Sequence, residues 1–237
     1  MNEQTGEMRQ HIKEFWDRRG AMDSEAEPVL KLRNEQERQV WLETLRGLLP
    51  TPPADLVDLG TGTGFLALLF ADLGHRSTGV DLSDGMLAAA RSRISTATQS
   101  PEFVIGDAAE PPLAPSSWDV VANRNMLWSL LEPTKAFRNW WKLLRPGGRV
   151  LVIHGVATGT DPRTGRDSIG FKQAYTDEVF EKLPGMRNTP TVEPAVKLAE
   201  ATGFVDIEVA RLEAIERFEV EHGREWTWLA MTAVRPA

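Results

Sequence analysis

The stretch VDLGTGTGFLALL, residues 57–69, constrains the fold more than any other part of this sequence. A short apolar run ends at Gly60, and a helical pattern begins directly after Gly64. This order predicts a strand, a tight turn and a helix. Glycine suits the turn because the backbone there must approach a ligand closely and can require positive φ angles. Such a unit is typical of α/β proteins that bind a ligand over the turn.

Strands and helices alternate in the chain that follows. Five short apolar strands are predicted at 54–59, 76–81, 102–105, 118–123 and 149–154. Helical patterns lie between them at 64–73, 84–94 and 133–145, with Ser83 as an N-cap and Pro146-Gly147-Gly148 as a helix stop. Near-continuous apolar strands that alternate with helices indicate a parallel sheet covered on both faces.

The two ends of the chain have different patterns. Helices are predicted at 7–19 and 28–49, where the second stops at Pro50, Pro52 and Pro53. Residues 155–175 are rich in Gly, Thr and Asp and predict a long loop, which in compact domains is usually functional or disordered. After a helix at about 192–202, strands at 204–212 and 226–234 are expected to pair as an antiparallel edge of the sheet.

Composition excludes several classes of partner and site. The net charge is −7, which argues against a surface for nucleic-acid phosphates. The chain has no cysteine, and its histidines and acids show no metal-ligand spacing, so we expect no metal. A polar N-terminus and short apolar runs predict neither a signal peptide nor a membrane span. We therefore expect a cytoplasmic protein with a small-molecule substrate.

The glycine turn itself fits two cofactor patterns. Gly62, Gly64 and Ala67 match G-x-G-x-x-A, the dinucleotide fingerprint. Asp58, with Gly60 and the two later glycines, matches D-x-G-x-G-x-G, the loop of proteins that bind S-adenosylmethionine (SAM). A carboxylate beside the turn works against a pyrophosphate but suits a ligand that carries an amino-acid cation. Asp58 therefore favours SAM over a dinucleotide as the ligand of this turn.

Two further acids follow the next two strands. Asp81 ends the second strand, where a carboxylate can accept both hydroxyls of a ribose; nicotinamide sites use an acid here too. Asp107 follows the third strand, where its carboxylate can accept an adenine amino group while the Ala108 N–H donates to the ring. Three acids at three successive strand ends form a pattern that a nicotinamide site does not need.

Five segments in this order resemble the class I SAM-dependent methyltransferases, and in particular the type 11-like small-molecule subset. They are VDLGTGTG, GVDLSDGMLAAAR, GDAAEPPL, SSWDVVANRNMLWSL and LLRPGGRVLVI. The resemblance implies a Rossmann-like, doubly wound, mostly parallel seven-stranded sheet. It also implies a set of cofactor-binding residues: Asp58, Gly60, Thr61, Gly62, Gly64, Asp81, Leu82, Met86, Asp107, Ala108 and Asn123. Of these, Leu82 and Met86 are expected against adenine and Asn123 under the methionyl end.

The flanking segments extend the resemblance. EFWDRR, residues 14–19, is similar to the N-terminal helix that covers the cofactor in this subset, and LAEATGFVDIEV is similar to its usual segment before the sixth strand. We therefore expect residues 1–50 to form a helical lid, residues 51–237 to form the SAM-binding domain, and residues 155–190 to be a substrate-cap insertion. His154 stands where the subset often has an acid at the end of the fifth strand.

Six residues are candidates for the acceptor side of the site. His154 is the best candidate for a base, although a strand-end histidine can simply bond a neighbour. Asn125 is expected to orient a heteroatom, and Tyr175, the only tyrosine, is expected to face the substrate from the long loop. Trp16 and Trp128 are candidate walls for a planar acceptor, and Arg124 is a candidate partner for an acidic group. Tryptophans are equally often core residues.

These residues predict a methyltransferase that moves a methyl group from SAM to an N, O or C atom of a small, possibly aromatic molecule. In-line displacement from a sulfonium depends mainly on positioning and water exclusion, so a base is not obligatory. An NAD(P)-dependent oxidoreductase is the first alternative. A SAM-binding protein that does not methylate, such as a regulator or a cyclase, is the second. A monomer or homodimer is expected.

Overall fold

The structure is a computed structural model that describes residues 3–22, 32, 34–94, 100–157 and 191–237. Within these ranges the helices are α1 (Glu3–Met22), α2 (Glu35–Leu48), α3 (Phe65–Asp72), α4 (Asp84–Ser92), α5 (Pro133–Leu143), α6 (Glu193–Thr202) and α7 (Glu213–Glu221). The strands are β1 (Asp55–Leu59), β2 (Arg76–Asp81), β3 (Glu102–Ile105), β4 (Trp118–Arg124), β5 (Leu144–Ala157), β6 (Val205–Arg211) and β7 (Trp226–Val234). A 3₁₀ turn, Leu127–Ser129, follows β4.

The seven strands form one sheet in the order β3-β2-β1-β4-β5-β7-β6. β1 to β5 are parallel, while β7 runs antiparallel to both β5 and β6. The predicted mostly parallel sheet with antiparallel pairing at one edge is confirmed, and β7 is the reversed strand, one position in from β6. The strand order reverses between β1 and β4, and open α/β sheets bind their ligands outside the carboxyl ends of the strands at such a point.

Each face of the sheet carries its own apolar core. The front face is the one on which Val57, Val121 and Val152 pack with residues of α1, α5 and α6. The back face carries Leu56, Val120 and Leu151, which pack with residues of α2, α3 and α7. Because neighbouring residues of a strand point to opposite faces, these apolar runs serve both cores, as expected for a buried parallel sheet.

The predicted elements are present, with shifted ends. Ser83 is the N-cap of α4, and its side chain accepts a hydrogen bond from the Met86 N–H. α2 begins at Glu35, where the Asn34 side chain accepts from the Glu37 N–H, seven residues later than the apolar pattern predicts. α5 ends at Leu143, and β5 includes Pro146-Gly147-Gly148. α7 was missed, because acidic residues surround its two buried apolar residues, Ile215 and Phe218.

The described ranges contain neither a membrane-spanning helix nor a metal-binding cluster. No helix in the described ranges is both long and apolar enough to cross a membrane. Within the same ranges, no three His, Asp or Glu side chains are grouped closely enough to hold a metal ion. Most of the predicted cap insertion, residues 158–190, lies outside the described residues, and so does Tyr175.

Candidate active site

The glycine turn joins β1 to α3 at the carboxyl edge of the sheet. Gly60, Gly62 and Gly64 have φ angles of 67°, 55° and 84°, a conformation that other residues adopt only at a cost. The N–H groups of Gly60 and Thr61 both donate to the Val80 carbonyl, at 2.8 and 3.0 Å, which fixes the turn against β2. No described atom lies within 4 Å of the place a Gly62 Cβ would take. Gly62 therefore leaves open space above the turn.

Asp58 lies under this turn and is 2% exposed. Its carboxylate accepts a hydrogen bond of 2.6 Å from the Thr61 hydroxyl. Burial raises the pKa of Asp58 to about 7, against the opposing effects of the Thr61 hydrogen bond and of the charge on Arg124. Asp58 can therefore change its charge near neutral pH, and a cation placed nearby would stabilise its ionised form.

Asp81 connects the turn to the next helix. Its carboxylate accepts hydrogen bonds from the Gly62 N–H at 2.8 Å and from the Ser83 N–H at 2.9 Å. Burial raises the pKa of Asp81, and these two backbone donors oppose the shift. Beyond Asp81, Leu82 is half-buried and Met86 is 1% exposed. The acid is thus held rigidly beside the open face of the turn.

Asp107, the third acid, is bound by the N-terminal helix. One carboxylate oxygen accepts from the Ala109 N–H at 2.8 Å, and the other lies 2.9 Å from Nε of Arg9. Arg9 also pairs with Glu132, at 2.7 Å. The Ala108 carbonyl accepts from the Trp140 indole N–H at 2.7 Å, which fixes the backbone next to this acid.

A second set of contacts ties the other end of α1 to α4. The Asp17 carboxylate accepts from the Ser83 hydroxyl at 2.8 Å and from the Gly85 N–H at 3.2 Å. Gly20 lies against the backbone of Gly85, and a Cβ at either residue would collide with the opposite helix. α1 therefore lies across the carboxyl ends of β2 and β3, in the position expected of a cover.

Asn123 and Asn125 differ in how their side chains are bonded. Asn123 is fully buried, and neither its amide nitrogen nor its amide oxygen has a hydrogen-bond partner among the described residues. Buried amides are normally bonded, so this side chain is suited to a ligand that offers both a donor and an acceptor. Asn125 has a φ of 53°, and its side-chain oxygen accepts from the Gly155 N–H at 2.7 Å. It therefore joins the ends of β4 and β5.

The remaining acceptor-side candidates lie mainly on the front face. Asn123 pairs with Val152, two residues before His154, so strand alternation puts both side chains on that face. His154 is 3% exposed. Trp128 belongs to the front core. Trp16 packs against that core, and the centre of its ring lies 5.0 Å from the centre of the Phe15 ring. The structure thus brings Asn123, His154 and the two tryptophans to one side of the sheet.

Arg124 lies on the back face instead. Its guanidinium carbon is 3.7 Å from the centre of the Phe65 ring and 5.8 Å from the rings of Trp41 and Trp228. Those three aromatic residues belong to the back core, whereas Trp128 belongs to the front core. The sheet therefore separates Arg124 from the other predicted substrate residues.

Sequence reasoning missed Arg9 and Asp17. The signal that could have found them is spacing, because Arg9, Lys13 and Asp17 recur every four residues and share one face of α1. Lys13 bonds Asp17 within the helix at 2.7 Å and approaches Asp84 of α4 at 3.3 Å. That face is the one which meets α4 and Asp107.

Known proteins are similar to this chain in sequence and in fold. The family model described as "Methyltransferase domain" matches residues 57–152. The ubiquinone/menaquinone biosynthesis C-methyltransferase UbiE of Roseobacter denitrificans is 31% identical over 70% of this chain and 72% of its own length. The demethylmenaquinone methyltransferase of Renibacterium salmoninarum is 30% identical over 63% of this chain and 59% of its own. The chain belongs to the SAM-dependent methyltransferase family.

A solved structure is similar to this chain at the level of the fold. Phosphoethanolamine N-methyltransferase 2 of Haemonchus contortus, in complex with phosphomonomethylethanolamine and S-adenosylhomocysteine, superposes with a TM-score of 0.63 at 23% identity, over 95% of this chain and 61% of that one. The match to the first curated relatives spans about half of their length, at 46%, 59% and 50%.

The carboxyl edge of the sheet fits the cofactor of this family. Gly62 leaves room above the turn, and the Asn123 amide has both a donor and an acceptor to offer. Asp58, Asp81 and Asp107 lie at three successive strand ends, as the sequence predicted. A ligand with an ammonium group, ribose hydroxyls and an adenine amino group would meet an acid at each of these points.

Proposed function

We propose that this protein transfers a methyl group from SAM to a small-molecule acceptor. The observation that carries the proposal is the row of three acids beside an open glycine turn, with the unsatisfied Asn123 amide at the neighbouring strand end. All of these groups lie at the carboxyl edge of the sheet, and the strand order reverses at that edge between β1 and β4, which is where open α/β sheets bind ligands. Membership of the methyltransferase family gives this function preference over the nicotinamide oxidoreductase.

Each predicted cofactor residue has a role in the proposal. Asp58 and Asn123 hold the amino-acid end, Asp81 accepts from the ribose hydroxyls, and Asp107 with the Ala108 N–H holds the edge of adenine. The remaining cofactor residues lie around the same molecule: Gly60, Thr61, Gly62 and Gly64 under it, and Leu82 and Met86 against adenine. The sulfonium of the bound cofactor supplies an activated methyl group. Asp107 also binds Arg9, so α1 closes over the same end of the site.

On the acceptor side, we place the substrate over the front face, between Asn123 and the tryptophans. Trp16 and Trp128 offer flat apolar surface to an aromatic acceptor. Two of the relatives are quinone-biosynthesis methyltransferases, which supports an acceptor of this kind. His154 takes the proton that an acceptor oxygen, nitrogen or carbon loses, and Asn125 orients the reacting atom. The role of Tyr175 stays a prediction.

Calorimetry with SAM and with NAD(H) tests the cofactor assignment. We expect SAM to bind and the nicotinamide cofactors not to bind. An Asp81→Asn variant should weaken SAM binding. The amide has one acceptor oxygen where the carboxylate has two, and the Gly62 N–H and the ribose hydroxyls would compete for it. Binding of only the nicotinamide would contradict the proposal.

A transfer assay tests the reaction itself. The protein is incubated with SAM labelled in the methyl group and with a panel of quinols, phenols and N-heterocycles, then with a small-molecule extract of cells. We expect label to move to an aromatic product. SAM binding with no label transferred to any small molecule would favour a regulator or another protein that binds SAM without methylating.

Further proposals rest on the sequence. We propose that residues 51–237 form the SAM-binding domain, that α1 provides the lid of the predicted 1–50 segment, and that residues 155–190 form the substrate cap. α2, the other helix of that segment, packs with the back core. A cytoplasmic location, a monomeric or homodimeric state and the absence of a nucleic-acid partner stay predictions.

A further inference from the structure

Arg124 is held in an aromatic cage directly behind the glycine turn. The cage consists of Phe65, Trp41 and Trp228, and the guanidinium lies nearest to Phe65, at 3.7 Å from its ring centre. Trp41 meets the other two rings edge to face, at 5.1 and 5.2 Å. All three ring centres lie within 6 Å of the guanidinium carbon, a distance at which cation–π attraction stabilises the cation. Because Phe65 is the first residue of α3, the cage is next to Gly64.

Acidic residues from three elements surround this cation. Asp58 of β1 pairs with Ala122, two residues before Arg124, so strand alternation puts both side chains on the same face of the sheet. The charges of Asp58, of Glu37 on α2 and of Glu219 on α7 each raise the pKa of Arg124. Burial is the larger effect and lowers that pKa to about 10, so the guanidinium is charged throughout the neutral range. Arg124 is therefore positively charged at neutral pH, with its guanidinium packed against aromatic rings.

Asp58 is the member of this group that lies beneath the cofactor turn. The charged groups that act on it are Arg124 from β4 and Asp81 from β2, of opposite sign, and its hydroxyl donor is Thr61. Burial favours the neutral carboxylic acid, and Asp81 adds to that preference. Arg124 is thus the one charged side chain among these groups that favours the carboxylate.

We propose that Arg124 is a positioning residue, which favours the carboxylate form of Asp58 beneath the glycine turn so that this carboxylate can hold the ammonium group of SAM. The inference rests on the proposed function for the identity of the ligand. It replaces the expectation that Arg124 binds substrate, because the sheet lies between Arg124 and Trp128. In this proposal the function of the aromatic cage is to hold the Arg124 guanidinium in the buried core.

The first test is a titration of the chain without cofactor. Aspartate is labelled with ¹³C in the side-chain carboxyl, and the Asp58 signal is assigned by its loss in Asp58→Asn. We expect an inflection near pH 7 in the wild type. An opposite charge at this range lowers an Asp pKa by about 1–3 units, so Arg124→Met should move the inflection up by about one unit or more. Arg124→Lys should restore most of the shift.

Two further variants keep this test decisive. Arg124→Gln is neutral and retains a smaller planar group on the side of Phe65, so it replaces Arg124→Met if that chain does not fold. Arg145→Met is the matched control, because Arg145 pairs with Asp55 and Asp119 at the opposite ends of β1 and β4. It should leave the Asp58 titration unchanged. An Asp58 inflection at the wild-type pH in both neutral Arg124 variants would overturn the inference.

The second test measures SAM affinity against pH. The ratio of the variant and wild-type dissociation constants cancels the titration of SAM itself. We expect Arg124→Met to bind at least about fivefold more weakly at pH 7, and the deficit to shrink toward pH 9 as Asp58 ionises in the variant too. A purely structural loss would give the same ratio at every pH and would overturn the inference. Failure of the wild type to bind SAM would contradict the proposed function alone, since the carboxyl titration needs no ligand.

Discussion

Arg9 and Asp107 form an ion pair across the carboxyl edge of the sheet, with Nε of Arg9 2.9 Å from the carboxylate. The pair joins the N-terminal half of α1 to the acid that the family resemblance assigns to adenine. Farther along α1, Asp17 accepts hydrogen bonds from Ser83 and Gly85. The cover is therefore tied down at two places, and opening it would free the carboxylate that we propose for adenine.

The first prediction concerns the stability of this cover. Arg9→Ala removes the pairs with Asp107 and Glu132, whose side chains are partly exposed. Pairs of this kind contribute up to about 1 kcal/mol each. We expect the backbone amides of Met8 to Asp17 to exchange their hydrogens up to about tenfold faster in the variant, as a free-energy loss of about 1.4 kcal/mol would allow. Hydrogen exchange followed by mass spectrometry measures the change.

Lys197→Ala is the control for this prediction. Lys197 forms an exposed pair of 2.8 Å with Glu193 on α6, far along the chain from α1. Its loss should leave exchange in α1 unchanged. If Arg9→Ala and Lys197→Ala give the same exchange in α1, the ion pairs do not hold the cover down.

The second prediction concerns Asn123, whose amide is buried without a hydrogen-bond partner in the described structure. An unsatisfied buried polar group costs about 1–3 kcal/mol. Asn123→Leu, which has nearly the same shape, should therefore raise the melting temperature by several degrees, at about 2–4 °C per kcal/mol for a chain of this size. The same change should weaken SAM binding at least about tenfold, because a charge-assisted hydrogen bond is lost.

Ser77 separates the two effects of that substitution. Its hydroxyl is also buried with no described partner, but it lies near the start of β2, away from the carboxyl edge. Ser77→Ala should raise stability and leave SAM affinity as it is. A destabilised Asn123→Leu chain, or one that binds SAM as the wild type does, would show that Asn123 is no ligand-binding group.

The sequence predicts some of these features and not others, for physical reasons. Asp58, Asp81 and Asp107 were found because a β-α-β unit returns every strand end to one edge, so spacing along the chain reports position in space. Asn123 and Arg124 are adjacent in the sequence, and only strand alternation on a known sheet shows that they serve opposite faces. The contact of Arg9 with Asp107 depends on how α1 crosses the sheet, which no local pattern encodes.

The third prediction uses two glycines with similar backbones. Gly62 and Gly223 have φ angles of 55° and 74°, and in both cases a Cβ would meet no described atom. Alanine in this conformation costs about 1–2 kcal/mol, so both Gly→Ala variants should lose similar stability in urea unfolding. Only Gly62→Ala should lose SAM affinity, because its methyl group enters the space above the turn. Equal SAM affinity in the two variants would place the cofactor elsewhere.

The fourth prediction concerns the pH dependence of stability. Burial raises the pKa of Asp58 to about 7, while an unfolded Asp titrates at about 4. Between these pH values the folded chain holds a proton that the unfolded chain has released, so rising pH lowers the free energy of unfolding through this group. The contribution is complete below pH 4 and is lost as the pH passes 7. Asp55 has the opposite sign, since its hydrogen bond with Arg76 lowers its pKa.

Urea unfolding of Asp58→Asn and Asp55→Asn between pH 4 and pH 8 measures both slopes. Asp58→Asn resembles the protonated residue, so it should match the wild type near pH 4 and exceed its stability by up to about 4 kcal/mol at pH 8, at about 1.4 kcal/mol per pKa unit. Asp55→Asn should be less stable than the wild type by a nearly constant amount over this range, because the contribution of Asp55 is lost only as the pH falls below about 4. Differences from the wild type cancel the titration of all other groups. Parallel slopes for the two variants would mean that Asp58 is ionised in the folded chain at every pH tested, and Arg124 would then have no protonation equilibrium to shift.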